Sequence, residues 1–260
     1  MRLVVFTDLD GTLLDHASYS HAAAAPALAA LARLGVPLVL ASSKTAAEIA
    51  PLQAELNLRG TPVIAENGAA RCPPGETGGS TATYGRLRAA LAALPQPLRA
   101  PFTGFGDMSD REVAEATGLP PAGAALARQR QFTEPGLWGG TAAGEAAFVA
   151  ALASQGIAAR RGGRFLTLSF GGTKAGQMAG IARDLGAEVT LALGDAPNDR
   201  EMIEAADHGV VIRNDHGTGL PPLPGEATGR IRRTTAPGPE GWNRAVLDIL
   251  DELGFMTGAE

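Results

Sequence analysis

"VVFTDLDGTLLD", residues 4–15, runs an apolar strand into two aspartates, Asp8 and Asp10, separated by one leucine and followed by a Gly-Thr turn. At i and i+2 of an extended backbone the two carboxylates leave the same side. Like charges so placed repel unless a cation lies between them. Three other short apolar runs have strand length: "VPLVLAS" (36–42), "TPVIAEN" (61–67) and "VTLALGD" (189–195). Continuous apolar runs of this kind suit strands buried on both faces of a parallel sheet.

The segments between them read as helices. An alanine-rich amphipathic stretch from His21 to Leu34 ends at Gly35, a C-cap residue. Thr45 and Glu48 have capping-box spacing and open a helix to about Asn57. The resulting β-α-β-α-β order predicts an α/β fold with a doubly wound parallel sheet. "RCPPGETGGSTATYG" (71–85) interrupts it with turn formers. From about Tyr84 to Phe165 the pattern is helix, strand, helices, strand, helix, strand, before "TKAGQMAGIARDLG" (173–186) restores the βα alternation. We expect a core of residues 1–80 and 168–260, with 81–167 forming a smaller inserted α/β domain. The Pro/Gly-rich stretch from Gly217 to Gly229 reads as loop.

Composition narrows the function. The 260 residues are 45% hydrophobic and carry a net charge of -5, which argues against nucleic acid or an anionic membrane as partner. No apolar run reaches the roughly 20 residues of a membrane span. Met1-Arg2 enters a strand without a signal-peptide pattern, and the lone Cys72 cannot form an internal disulfide, so the default expectation is cytoplasmic. The composition does not address oligomeric state. Lys44 and Lys174 are the only lysines beside twenty arginines, and a lysine kept against that bias asks for a reason.

The polar residues at the strand ends supply one. Asp8 and Asp10 end the first strand, Ser42 and Ser43 the second, and Asp195 the fourth. Ligands of open α/β sheets bind at the carboxyl ends of the strands. Asp8, Asp10 and Asp195 around one point call for a hard divalent cation such as Mg²⁺. Ser42, Ser43, Lys44, Lys174 and nearby helix N-termini make a phosphate site. Asn198 and Asp199 stand where they can cap a helix and support the metal from behind, or bind it. Other readings fail on spacing. Gly11 follows Asp10 too soon for a calcium loop. "SSKT" has Leu38 where the first glycine of a phosphate-binding loop belongs, and the four histidines share no metal-ligand spacing.

"DLDGTL" (8–13), the serine of "LASSK" (40–44), Lys174 and "GDAPND" (194–199) together resemble the four ordered motifs of the haloacid dehalogenase-like phosphatases. The insert resembles a C2-type cap, as in the Cof-like branch. "SSKTAAEI", "AENGAA", "RQRQFTEP" and "RGGRF" are similar to the mannosyl-3-phosphoglycerate phosphatase family. Thr173 and Ala175 depart from the acid and glycine usual around the third-motif lysine. The resemblance implies Mg²⁺-dependent hydrolysis of a small-molecule phosphate ester, mannosyl-3-phosphoglycerate, through an aspartyl-phosphate. Asp8 would be the nucleophile and Asp10 the acid and base. Gln131, Glu134 and Arg164 would read the leaving group from the cap. The alternatives are a broader sugar-phosphate phosphatase, a phosphomutase-like transferase and a non-enzymatic phosphate-binding module; retention of both Asp8 and Asp10 argues against the last.

Overall fold

A computed structural model describes residues 1–76, 81–217 and 219–256. The first strand, β1 (Leu3–Thr7), is buried throughout. Helix α1 (Ala25–Leu34) leads to β2 (Leu38–Leu40), and Gly35 ends the helix at φ 63°, a left-handed turn open to glycine at little cost. Next comes α2 (Ala46–Glu55). Its capping box forms as the spacing requires: Thr45 Oγ1 accepts from Glu48 N at 3.1 Å, and Thr45 N donates to Glu48 Oε2 at 2.8 Å.

β3 (Val63–Ala65) departs from expectation. It pairs antiparallel with β4 (Ala70–Cys72) and touches the main sheet through one bridge, Ala41 to Ile64. The reversal between them, Glu66-Asn67-Gly68, holds three successive residues at φ 51°, 59° and 87°. Extended ladder pairing cannot run through left-handed backbone. A Cβ on Gly68 would collide with the backbone of Thr173 and Lys174, so this turn packs directly on the start of a later helix.

The segment between carries α3 (Ala82–Ala92), α4 (Gln96–Arg99), β5 (Phe102–Gly104), α5 (Asp110–Thr117), α6 (Pro121–Ala127), β6 (Thr133–Trp138), α7 (Ala142–Ala153), β7 (Ala158–Gly162) and β8 (Phe165–Ser169). Its strands form an antiparallel sheet in the order β5-β6-β8-β7. Leu87 and Leu91 of α3 and Phe148 and Leu152 of α7 pack with Leu166 and Leu168 on one face. Only the second half of "RQRQFTEP" is strand. β7 was not expected, because "AARRG" is an exposed edge without apolar alternation.

The chain then returns through α8 (Lys174–Asp184), β9 (Val189–Gly194), α9 (Arg200–Ala205), β10 (His208–Arg213), β11 (Ile231–Pro237) and α10 (Gly238–Glu252). The main sheet is parallel, in the order β11-β10-β9-β1-β2. Leu3 and Val5 face α1 and α10, while Val4 and Phe6 face Met178 and Ile181 of α8 and Met202 of α9. This is an α/β fold with helices on both faces, and β1 lies inside it, so its carboxyl end is held from all sides. No helix among the described residues is long and apolar enough to cross a membrane.

One buried carboxylate ties the two sheets together. Glu66, 3% exposed, accepts from the backbone nitrogens of Gln131 (2.9 Å), Phe132 (3.2 Å) and Thr133 (2.8 Å) and from Thr133 Oγ1 (2.7 Å). Glu66→Ala would leave three backbone donors without their acceptor, at about 1–3 kcal/mol for each one left buried. We expect urea denaturation to show a loss of about 3 kcal/mol; an unchanged midpoint would contradict this role.

Candidate active site

Three carboxylates meet at the carboxyl ends of β1 and β9. Asp8 follows β1, Asp195 follows β9, and Asp199 lies in the short turn before α9. One oxygen from each lies within 4.8 Å of the others, and all three residues are buried. Lys174, the first residue of α8 and 2% exposed, places its Nζ 2.5 Å from Asp8 Oδ1 and 2.6 Å from Asp199 Oδ1. Thr173 caps that helix by accepting from Gly176 N at 3.1 Å, so the local anchor is a hydroxyl and the lysine is still seated.

The electrostatics follow from burial. Desolvation pushes the Asp8 carboxyl well above its ordinary range, Asp199 and Asp195 add to the rise, and Lys174 opposes it. Burial disfavours the charge on Lys174, but Asp199 and Asp8 outweigh that and hold its pKa above the usual lysine value. The Asp195 carboxyl is raised by burial against two hydrogen bonds, from Asn214 Nδ2 and Thr12 Oγ1, both at 2.7 Å. Asp199 Oδ2 accepts from the backbone nitrogens of Asp195 (3.2 Å) and Ala196 (3.1 Å), which fixes its orientation.

Asp10 occupies a different place from the one its spacing predicts. Its carboxylate is turned toward Lys44, 2.7 Å from Nζ, and is not among the three that converge. Its Oδ1 is buried without a hydrogen-bond partner. Burial works against the Lys44 charge, but Asp10 outweighs it and raises the lysine pKa. Ser42 is 1% exposed, and its Oγ accepts from Lys44 N at 3.2 Å. Ser43 is exposed and offers its carbonyl to Arg130 Nη1 at 2.9 Å. Asn198 donates to Asn67 Oδ1 at 3.0 Å rather than reaching the carboxylates.

The residues expected to read a leaving group are dispersed. Gln131 N is bound to Glu66. Glu134 is fully buried and accepts from Tyr84 Oη (2.5 Å), Arg88 Nη1 (2.8 Å) and Gly106 N (2.9 Å). Both its oxygens serve the second sheet, which removes it as a substrate contact. Arg164 lies exposed in the β7–β8 turn, its guanidinium 5.7 Å from the centre of the Phe165 ring, without an ion-pair partner among the described residues. Thr12, Glu66, Asn67 and Asn214 were not anticipated. Thr12 lies within "DLDGTL" and Glu66 and Asn67 within "AENGAA", so those motifs carried a signal for three of them, while Asn214 had none.

Residues 5–73 match the family model of the haloacid dehalogenase-like hydrolases. Similar solved structures cover the whole length. A haloacid dehalogenase-like hydrolase from Bacteroides thetaiotaomicron is 20% identical at TM-score 0.67, over 96% of this chain and 100% of that one. A protein from Geobacillus kaustophilus HTA426 gives 20% and 0.68, over 98% and 100%. The sucrose-phosphatase of Synechocystis sp. PCC6803, solved with sucrose and phosphate, gives 16% and 0.62, over 97% and 98%. The family-model match is confined to residues 5–73, and over the whole chain the fold is similar to that of these solved structures.

Haloacid dehalogenase-like hydrolases, whose family model residues 5–73 match, generally use Mg²⁺, and the donor set here would fit that ion: every candidate ligand is a carboxylate oxygen, the donor a hard cation prefers. Lys174 already neutralises part of this cluster. Lys174→Met should therefore cost about 3–5 kcal/mol, the usual effect of stranding one side of a buried ion pair. Added Mg²⁺ should restore part of the loss by screening Asp8 and Asp199. Denaturant midpoints with and without Mg²⁺ measure both effects; a variant as stable as the parent would contradict the assignment.

Proposed function

We propose that the protein is a Mg²⁺-dependent phosphomonoesterase that hydrolyses mannosyl-3-phosphoglycerate to mannosylglycerate and phosphate through an aspartyl-phosphate. The observation that carries the reaction class is a buried Asp8 paired to Lys174, with Asp195 and Asp199 beside it and Asp10 held apart by Lys44. One carboxylate sits inside the cluster and one at its rim. That separation matches two different tasks.

An Asp8 oxygen attacks phosphorus in line, and the bond to the leaving oxygen breaks. Asp10, whose Oδ1 is buried without a partner, gives its proton to the departing alkoxide. It then takes a proton from the water that attacks the aspartyl-phosphate, which returns Asp8 to its free form. Lys174 supplies positive charge beside the transferring group, and the Ser42 hydroxyl and the nitrogens near Lys44 offer donors to its oxygens. Bound Mg²⁺ would add charge stabilisation on the same phosphoryl oxygens. Residues 81–167 would act as a cap that closes over the strand ends and excludes water.

The substrate rests on the motifs "SSKTAAEI", "AENGAA" and "RGGRF", and on two features that agree with them. Arg164 is a planar cation, without an ion-pair partner among the described residues, suited to the carboxylate of the leaving group. Sucrose-phosphatase, whose fold is similar, was solved in complex with a sugar, sucrose, together with phosphate.

A panel of phosphate esters with Mg²⁺ tests both levels. We expect kcat/KM for mannosyl-3-phosphoglycerate to exceed that for 3-phosphoglycerate at least tenfold, and Asp8→Asn to remove turnover of every ester. Phosphate passed to a second sugar instead of water would indicate a transferase. A flat profile over the panel would overturn the substrate, and an active Asp8→Asn protein would overturn the mechanism.

A further inference from the structure

On the far side of Lys44 from Asp10 is a half-open groove of about 330 Å³ between the loop after β1 and helix α2, lined by Leu14, Tyr19, His21, Lys44, Glu48 and Leu52 among others. Tyr19 stands out there. It is 51% exposed, and it and Met1 are the exposed large hydrophobic side chains among the described residues. Its backbone is also left-handed, at φ 55°, a conformation that a bulky residue adopts only when its surroundings impose it.

The loop does impose it. Tyr19 N donates to Asp15 O at 2.9 Å, and Asp15 N donates to Ser20 O at 2.9 Å. Asp15 Oδ1 accepts from Ala17 N (3.2 Å), Ser18 N (2.8 Å) and Ser18 Oγ (2.7 Å). The chain thus spends a complete set of hydrogen bonds on holding one aromatic ring in the open. That ring faces the chemistry: Lys44 Nζ is 5.5 Å from its centre and 2.7 Å from Asp10 Oδ2.

We propose that this groove binds the sugar ring of the leaving group, with Tyr19 as its platform. The inference rests on the phosphatase reading above and adds where the sugar goes. If Asp10 protonates the leaving oxygen, whatever that oxygen carries begins at Asp10 and passes Lys44. The next surface outward is Tyr19. Aromatic faces suit the C–H faces of a pyranose, while the flanking polar groups suit its hydroxyls. The charges agree. Glu48 and Glu55 line the groove, and its one lysine is already paired with Asp10. Hydroxyl donors are therefore welcome there and a carboxylate is not. The anionic end of the leaving group is left to the second sheet.

The test compares two esters that differ only by the sugar, mannosyl-3-phosphoglycerate and 3-phosphoglycerate. The variants are Tyr19→Phe and Tyr19→Asn; asparagine tolerates the left-handed backbone, so the ring is removed without changing the loop. Tyr19→Asn should raise KM for the sugar ester at least fivefold, change KM for 3-phosphoglycerate less than twofold and leave kcat within twofold. Tyr19→Phe should stay near the parent. An equal rise on both esters, or no rise on the sugar ester, would overturn the groove as a sugar site. Should the unaltered protein hydrolyse neither ester, the proposed substrate fails and ligand-observed NMR with mannosylglycerate decides the groove alone. Saturation transfer that Tyr19→Asn abolishes would support it, and no transfer to the unaltered protein would overturn it.

Discussion

A buried ammonium between two buried carboxylates is the constraint on which the rest depends. Lys174 touches Asp8 and Asp199, and Asp195 completes a cluster that has no means of coexisting as three bare charges. Removing water from such groups costs several kcal/mol for each ion. The fold tolerates it because Lys174 holds Asp8, and the other two acids are held by further donors: Asp195 by Thr12 and Asn214, Asp199 by two backbone nitrogens. The cluster is thus rigid before any substrate arrives, which is the condition for electrostatic stabilisation without reorganisation.

The turn Glu66-Asn67-Gly68 connects that cluster to the remainder of the molecule. Gly68 lies against the backbone at Lys174, and its carbonyl accepts from Gln177 of the same helix at 3.1 Å. Asn67 accepts from Asn198 in the turn that carries Asp199. Glu66 grips the first residues of β6. Three consecutive left-handed residues bring these three contacts within one tight reversal. The turn thus joins the first residues of β6 both to the helix that begins at Lys174 and to the turn that carries Asp199.

Much of this was legible from the sequence, and the omissions have physical causes. Three buried parallel strands, β1, β2 and β9, announced themselves as apolar runs, while β10 was not read although it is buried and the run at 61–67 became the antiparallel β3; the Thr45 box and Gly35 cap set helix ends by local chemistry. β11, "IRRTTAP", did not, because it is an edge strand whose polar positions are occupied by arginines. Arg232 pairs with Glu252 and Arg233 with Glu226, so the pattern reads as surface. The motif acids were identifiable by position, but the partition between them was not. Spacing puts Asp8 and Asp10 on one side of a strand, yet β1 ends at Thr7 and the chain turns at Leu9, so the Asp10 carboxylate lies against Lys44 while Asp199 joins Asp8 and Asp195 in the cluster. Glu134 failed for a different reason: a glutamate in a strand of the second sheet looks available until Tyr84 and Arg88 of α3 are seen to cover it.

In the proposed reaction an Asp8 oxygen bonds to phosphorus while Asp10 handles protons. Asp10→Asn slows the second step, in which water must lose a proton, and so allows the covalent species to accumulate. Rapid acid quench of that variant during turnover of mannosyl-3-phosphoglycerate with Mg²⁺, followed by peptide mass spectrometry, reads the site directly. The account predicts phosphate on the peptide containing "FTDLDG", attached at Asp8. Phosphate on any other residue, or unmodified protein throughout a turnover that continues, would contradict it.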